Sequence, residues 1–193
     1  MRLNSVSMNF NLKDFFRRRS LKRLGGIEKS RYVQLGDITS AIFFVSVGSV
    51  KDLPQVRKIE AMFIQKGIDC TAVIVLNPKS GTADYSDEGK CCNETIIHKE
   101  SLNWYGKPSP DSLGDIAVKK YNLALSLNRE NDFTVEFLSN EVKADMKIGM
   151  SRGKYASYDI VIRDSSDAPL GMEEFLNEMF RILQLFAPGS SQK

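Results

Sequence analysis

Ala41-Ile-Phe-Phe-Val-Ser-Val47 and Thr71-Ala-Val-Ile-Val-Leu76 are two nearly continuous apolar runs, and they set the architecture expected of this 193-residue chain. Runs of this kind suit strands buried on both faces, because a strand with one wet face alternates polar and apolar side chains. Between them, Pro54 stands where a first helical turn tolerates proline, Val56, Ile59 and Phe63 recur at helical spacing, and Gly67 supplies a stop. Strand, helix and strand make a βαβ unit, whose crossover is right-handed in ~98% of cases. A parallel sheet is expected here.

The rest of the chain continues the alternation. Asn77 to Lys90, rich in Pro, Ser, Gly and Asp, reads as a loop, and the β-branched Glu94 to His98 as a strand. Ser101 to Pro110 is an irregular connection and Pro110 to Lys120 a short helix. Tyr121 to Leu127 reads as a strand and 131–142 as a helix. Lys147 to Met150 and Asp159 to Ile162 are the last two strands. A closing helix, capped by Asp167, repeats Met172, Phe175, Leu176, Met179, Ile182, Leu183 and Phe186 at i, i+3, i+4. The order predicts a three-layer, Rossmann-like α/β fold, doubly wound, with a mostly parallel sheet of about six strands. Residues 35–187 form this domain, 1–34 a basic, partly helical leader, and 188–193 a disordered tail.

Composition narrows the class of protein. The longest apolar stretch, Ala41 to Val50, is broken by Ser46, Gly48 and Ser49 and falls short of the ~20 residues that span a bilayer. Met1 to Leu12 shows no secretory pattern, and Met8 reads as well as a start as Met1 does. Cys70, Cys91 and Cys92 form an odd set unsuited to structural disulfides, in keeping with a reducing, cytoplasmic location. The net charge of +3 is unevenly spread. Residues 1–31 hold nine basic against two acidic residues, +7 in all, which leaves −4 on the remaining 162.

Open α/β sheets bind ligands beyond the carboxyl ends of their strands, where helix N-termini present N–H groups and positive dipole ends. After the first strand, Ser46, Gly48 and Ser49 precede a helix in a small polar turn that is neither a dinucleotide fingerprint nor a P-loop. After the fourth come Asn128 and Arg129, with Asn131 or Asp132 placed to cap the next helix. After the fifth, Gly149-Met-Ser-Arg-Gly-Lys-Tyr155 offers Ser151 and Arg152 to an anion. A plain turn, a cap and a solvated basic loop are the simpler accounts of these three segments.

Other constellations carry less. Asp84, Ser86, Glu88 and Gly89 occupy EF-hand positions one, three, five and six, but the twelfth is Thr95, so a solvated acidic loop is expected. Cys91 and Cys92 lack metal-site spacing, and on a strand Cys92 would lie about 20 Å from His98, the only histidine. Asp111 and Asp115 suit the N-terminus of a helix better than a catalytic pair. No metal and no cofactor are expected. Trp104 and Tyr105 either pin their loop to the core or stack on a ligand or partner.

The leader, with Phe15, Phe16, Arg17, Arg18, Arg19, Lys22 and Arg23, admits three readings: a helix docked on its own domain, a segment meeting anionic lipid, or one contacting RNA phosphates. Lipid contact would place the protein peripherally at the inner membrane face. Two functions follow: a non-catalytic docking module reaching an anionic partner through the leader, or an enzyme or sensor binding a nucleotide or nucleotide sugar at the strand ends.

Asp14-Phe-Phe-Arg-Arg-Arg19, the apolar first strand, Leu102-Asn-Trp-Tyr-Gly-Lys-Pro108 and Met146-Lys-Ile-Gly149 together resemble an uncharacterised family of bacterial cytoplasmic proteins, a domain of unknown function. The resemblance spans nearly the whole chain and brings no catalytic residues. Tyr121 to Leu127, the helix after it and Lys147-Ile-Gly are also similar to the amino-terminal half of heptosyltransferase-type glycosyltransferases. Those enzymes often carry an acidic residue in that strand where Asn122 stands here, and a second domain for the nucleotide sugar.

Overall fold

A computed structural model describes residues 11–22, 30–48, 52–76, 93–109, 112, 114–128, 130–155, 157–163 and 170–185. In chain order the elements are α1 (Leu12–Lys22), β1 (Ser40–Val47), α2 (Leu53–Gln65), β2 (Asp69–Leu76), β3 (Asn93–His98), β4 (Lys120–Ser126), α3 (Phe133–Glu141), β5 (Lys143–Gly149), β6 (Ile160–Val161) and α4 (Met172–Leu185). All six strands pair in parallel in the order β3-β2-β1-β4-β5-β6. The expected doubly wound α/β fold is therefore present. β1 and β2 match along their whole length, from Ser40 opposite Asp69 to Val47 opposite Leu76.

The continuous apolar runs are explained by two cores, one on each face of the sheet. Phe43, Val45 and Ile74 point to the side covered by α2 and α4, where Phe63 stacks on Phe43 at 6.2 Å and meets Phe180 edge-on at 5.6 Å. Ile42, Phe44 and Val73 point the other way, toward Val135 and Leu138 of α3. Successive side chains of one strand thus enter opposite cores, and both sets must be apolar.

Two expectations change. The helix over Pro110 to Lys120 is replaced, among the described residues, by 3₁₀ structure, at Ser112 and in a turn at Gly114–Ala117. Gly114, at φ +42°, sits in a conformation that a regular helix does not contain. The fifth strand starts at Lys143, not Lys147, because only Ala144, Met146 and Ile148 need to be apolar while Lys143, Asp145 and Lys147 alternate with them. Lys147 earns its place inside the layer by donating from Nζ to the Ser139 carbonyl at 2.6 Å, at the end of α3. The cap proposed at Asp167, the 188–193 tail and the 84–89 loop lie outside the described residues.

Candidate functional site

The strand order reverses between β1 and β4: the crossover from β1 runs outward to β2 on one side, that from β4 to β5 on the other. Connections leaving in opposite directions open a crevice at the carboxyl edge. There a cavity of about 840 Å³ is bounded by Ser46 from β1, Asn128 beyond β4, Gln55 in the first turn of α2, Thr134 in the first turn of α3, and Gly171 and Met172 at the start of α4. Ser46 and Asn128 are joined directly, since the Ser46 N–H donates to Asn128 Oδ1 at 2.9 Å. Leu127 N–H donates to the Phe44 carbonyl at 2.9 Å and carries the pairing of the two strands to the crevice floor.

Three helices begin at this edge and differ in how their first N–H groups are used. Asp132 caps α3 as expected, its Oδ1 accepting from Thr134 N at 2.9 Å and Val135 N at 3.3 Å. Glu174 reaches back from α4 to the Gly171 N–H at 2.7 Å, half of a capping box. α2 begins without a side-chain cap, with Pro54 in its first turn. Each of the three helices thus has a carboxylate at its dipole end, Asp52 standing at the N-cap position of α2 without the capping hydrogen bonds that Asp132 makes for α3.

The leader closes one side of the crevice. Along α1, Asp14, Arg17, Ser20 and Leu21 turn inward, while Leu12, Phe15, Phe16, Arg18, Arg19 and Lys22 are exposed. Arg17 Nε donates to the Tyr105 carbonyl at 2.9 Å, and its guanidinium lies 4.8 Å from the centre of the Phe133 ring, a cation–π contact. Asp14 accepts from the Tyr155 hydroxyl and pairs with Lys154 at 2.7 Å. The Lys154 ammonium and the Tyr155 hydroxyl hold the Asp14 carboxyl below its usual range, and Asp14 in turn raises Lys154. The domain-docked reading of the leader is what these contacts describe. Lys13 and Arg17 both line the crevice.

The Asn-Trp-Tyr-Gly segment acquires a local explanation. Asn103 Oδ1 accepts from the N–H groups of Tyr105 (3.2 Å) and Lys107 (2.9 Å), folding the loop around its own side chain. Gly106, at φ +93°, completes the turn, and its carbonyl accepts from Thr134 Oγ1 at 2.7 Å. Tyr105 packs on Phe133 and pins the loop, whereas Trp104 is 59% exposed.

Of the residues singled out from the sequence, Ser46 and Asn128 meet in the crevice, with Gly48 exposed just past the end of β1. Ser151 and Arg152 do not line it. Their loop folds against α3 instead, where Tyr155 N–H donates to Glu136, and Gly153, at φ +63°, leaves room that a Cβ would lose to the Glu136 carboxylate at 3.2 Å. Ser49, Arg129, Arg23, Cys91, Cys92 and Asp111 lie outside the described residues. His98 ends β3, which is the edge strand, and Asp115 opens the 3₁₀ turn. Lys13, Gln55 and Thr134 were not anticipated. Gln55 had a usable signal, its place in the first turn after a strand at the switch point; Lys13 had none, because its position depends on how α1 docks.

Among the described residues no group of three or more His, Cys, Asp or Glu is arranged to hold a metal, and no helix is long and apolar enough to cross a membrane. A family described as "Family of unknown function (DUF6913)" matches residues 13–186, a span that includes nearly all of α1. No curated protein matches the chain, so the likeness to heptosyltransferases gains nothing from these comparisons.

Proposed function

We propose that this chain, which belongs to the Family of unknown function (DUF6913), binds a small phosphate-bearing molecule, a nucleotide or nucleotide sugar, in the crevice between β1 and β4. One observation carries the reading. A cavity of about 840 Å³ lies at the switch point of a 3-2-1-4-5-6 parallel sheet, with Lys13 and Arg17 in its wall. That volume is in the range of small-molecule sites. A phosphate there would meet Ser46 and Gln55, and the two leader cations would add charge-assisted hydrogen bonds. Glu130 and Asp132, which also line the crevice, suit hydroxyl groups of a sugar better than a second phosphate. The reading is of binding, and it assigns no reaction to any residue.

The test is the melting temperature of the full chain with inorganic phosphate, nucleoside mono-, di- and triphosphates, and nucleotide sugars. A ligand at a hundred times its Kd stabilises by about 2.7 kcal/mol, a clear upward shift. Lys13→Glu, on an exposed side chain, should leave the unliganded melting temperature alone and abolish most of the shift. If no phosphate compound raises it, or if Lys13→Glu and Asn128→Ala both respond as the parent does, the crevice is not the site.

A further inference from the structure

We infer that the outward face of α1, together with Trp104, docks the protein reversibly on an anionic lipid surface. The crevice takes from this helix the inward Arg17 and the exposed Lys13 beside it, and none of the apolar side chains. Opposite it, Leu12 is 53%, Phe15 44% and Phe16 36% exposed, and Trp104 adds its ring beside them. Phe15 and Phe16 meet edge-on at 5.6 Å, and Phe16 and Trp104 at 5.3 Å, so the side chains form one contiguous ridge. Of the eight large apolar side chains exposed among the described residues, four are gathered here. The other four, Tyr32, Ile64, Val118 and Leu185, belong to four separate segments. Clustering of that kind marks an interaction surface, whereas scattered exposed apolar residues do not.

The charge pattern selects the occupant. Arg18, Arg19 and Lys22 are exposed on the same helix, in a leader of net charge +7. A helix that offers aromatic and aliphatic side chains to the acyl boundary, and cations to head groups, matches an anionic bilayer on both counts. A second copy of the chain fits poorly, because a twofold pairing sets the same cations against each other while Asp14 is turned inward to Lys154. Single-stranded RNA stacks its bases on open ring faces. Here Phe16 already stacks on Tyr105 at 6.0 Å and meets Phe15 and Trp104 edge to face, and Leu12 has no part in such recognition. The ridge is short, so attachment is peripheral and salt-sensitive.

Trp104 is the only tryptophan of the chain and reports directly on this surface. The full-length protein is to be mixed with vesicles of phosphatidylcholine alone or with phosphatidylglycerol, in rising salt, and followed by co-sedimentation and tryptophan emission. Expected are sedimentation with the anionic vesicles only, a blue shift of Trp104, and quenching by brominated acyl chains. Arg18→Glu with Arg19→Glu should lower partitioning at least about tenfold at low salt. Phe15→Ser should lower it with the charges intact. Both act on exposed side chains, and circular dichroism checks that each variant is folded; should Phe15→Ser melt early, the charge pair decides. Absence of sedimentation, sedimentation with unchanged Trp104 emission, indifference to the charge reversal, or capture by single-stranded RNA in preference to anionic vesicles would each overturn the inference.

Discussion

Two asparagines hold the two ends of the central strand pair, and they do so unequally. At the amino edge, Asn122 Oδ1 accepts from the N–H and hydroxyl of Thr39 (3.1 and 3.0 Å) and of Ser40 (both 3.1 Å), while its Nδ2 donates to Asp145 at 3.2 Å. At the carboxyl edge, among the described residues, Asn128 accepts from Ser46 N–H. Asn122→Ala takes this acceptor from the two partly buried donors of Ser40 and the two exposed ones of Thr39, and should destabilise by about 1–3 kcal/mol in urea unfolding, more than Asn128→Ala. Gly149 makes the complementary point about space. A Cβ there would sit 2.7 Å from the ring of Tyr158, so Gly149→Ala should cost about 1–3 kcal/mol on the same assay. Asn128 was legible in the sequence because it follows a strand at the binding edge. The bonding of Asn122 was not, because its partners lie some 80 positions away in the chain.

α3 shows how much of an element is written locally. Asp132 before Phe133 is a cap signal that needs no tertiary information, and Asp132→Ala should cost about 1 kcal/mol, seen as a drop of a few degrees in melting temperature. β5 was legible only in its second half, since Lys143, Asp145 and Lys147 hide a strand whose other side chains are buried. α1 is the opposite case. Its helical character follows from its own residues, but its docking depends on Lys154 and Tyr155, about 140 positions away, and on the Tyr105 carbonyl. Arg17→Ala removes both the hydrogen bond to that carbonyl and the contact with Phe133. Amide exchange should then accelerate in α1 while β1 and β4 keep their protection, since the contacts of α1 run to the Tyr105 turn, Phe133 and the Lys154–Tyr155 loop.

For the molecule as a whole, Glu94 of β3, buried against α2, makes stability depend on pH. Glu94 is pushed up to about 7, first by burial and then by the neighbouring Glu60, with Arg57, 3.7 Å away, opposing the rise. A carboxyl group whose native pKa exceeds its unfolded value favours the fold when protonated. The contribution is therefore fully present below about 4.5, falls as pH rises toward 7, and is gone above it. Chemical unfolding at pH 5 and pH 8 should differ by a few kcal/mol in that sense, each pKa unit carrying about 1.4 kcal/mol. Glu94→Gln should flatten the difference. Periodicity, turn chemistry and capping along the chain were enough to establish α2, α3, α4, the strands apart from the first half of β5, the βαβ unit and the doubly wound class. Hydrophobic repeat, turn chemistry and capping act between residues a few positions apart, so their record is local. The order β3-β2-β1-β4-β5-β6, the meeting of Ser46 with Asn128, the turning of Ser151 and Arg152 onto α3, and the seating of Lys13 and Arg17 over the crevice emerge only once the chain is packed. Parallel pairing and helix docking join residues far apart in sequence, and their free energy comes from surfaces that neither partner carries alone.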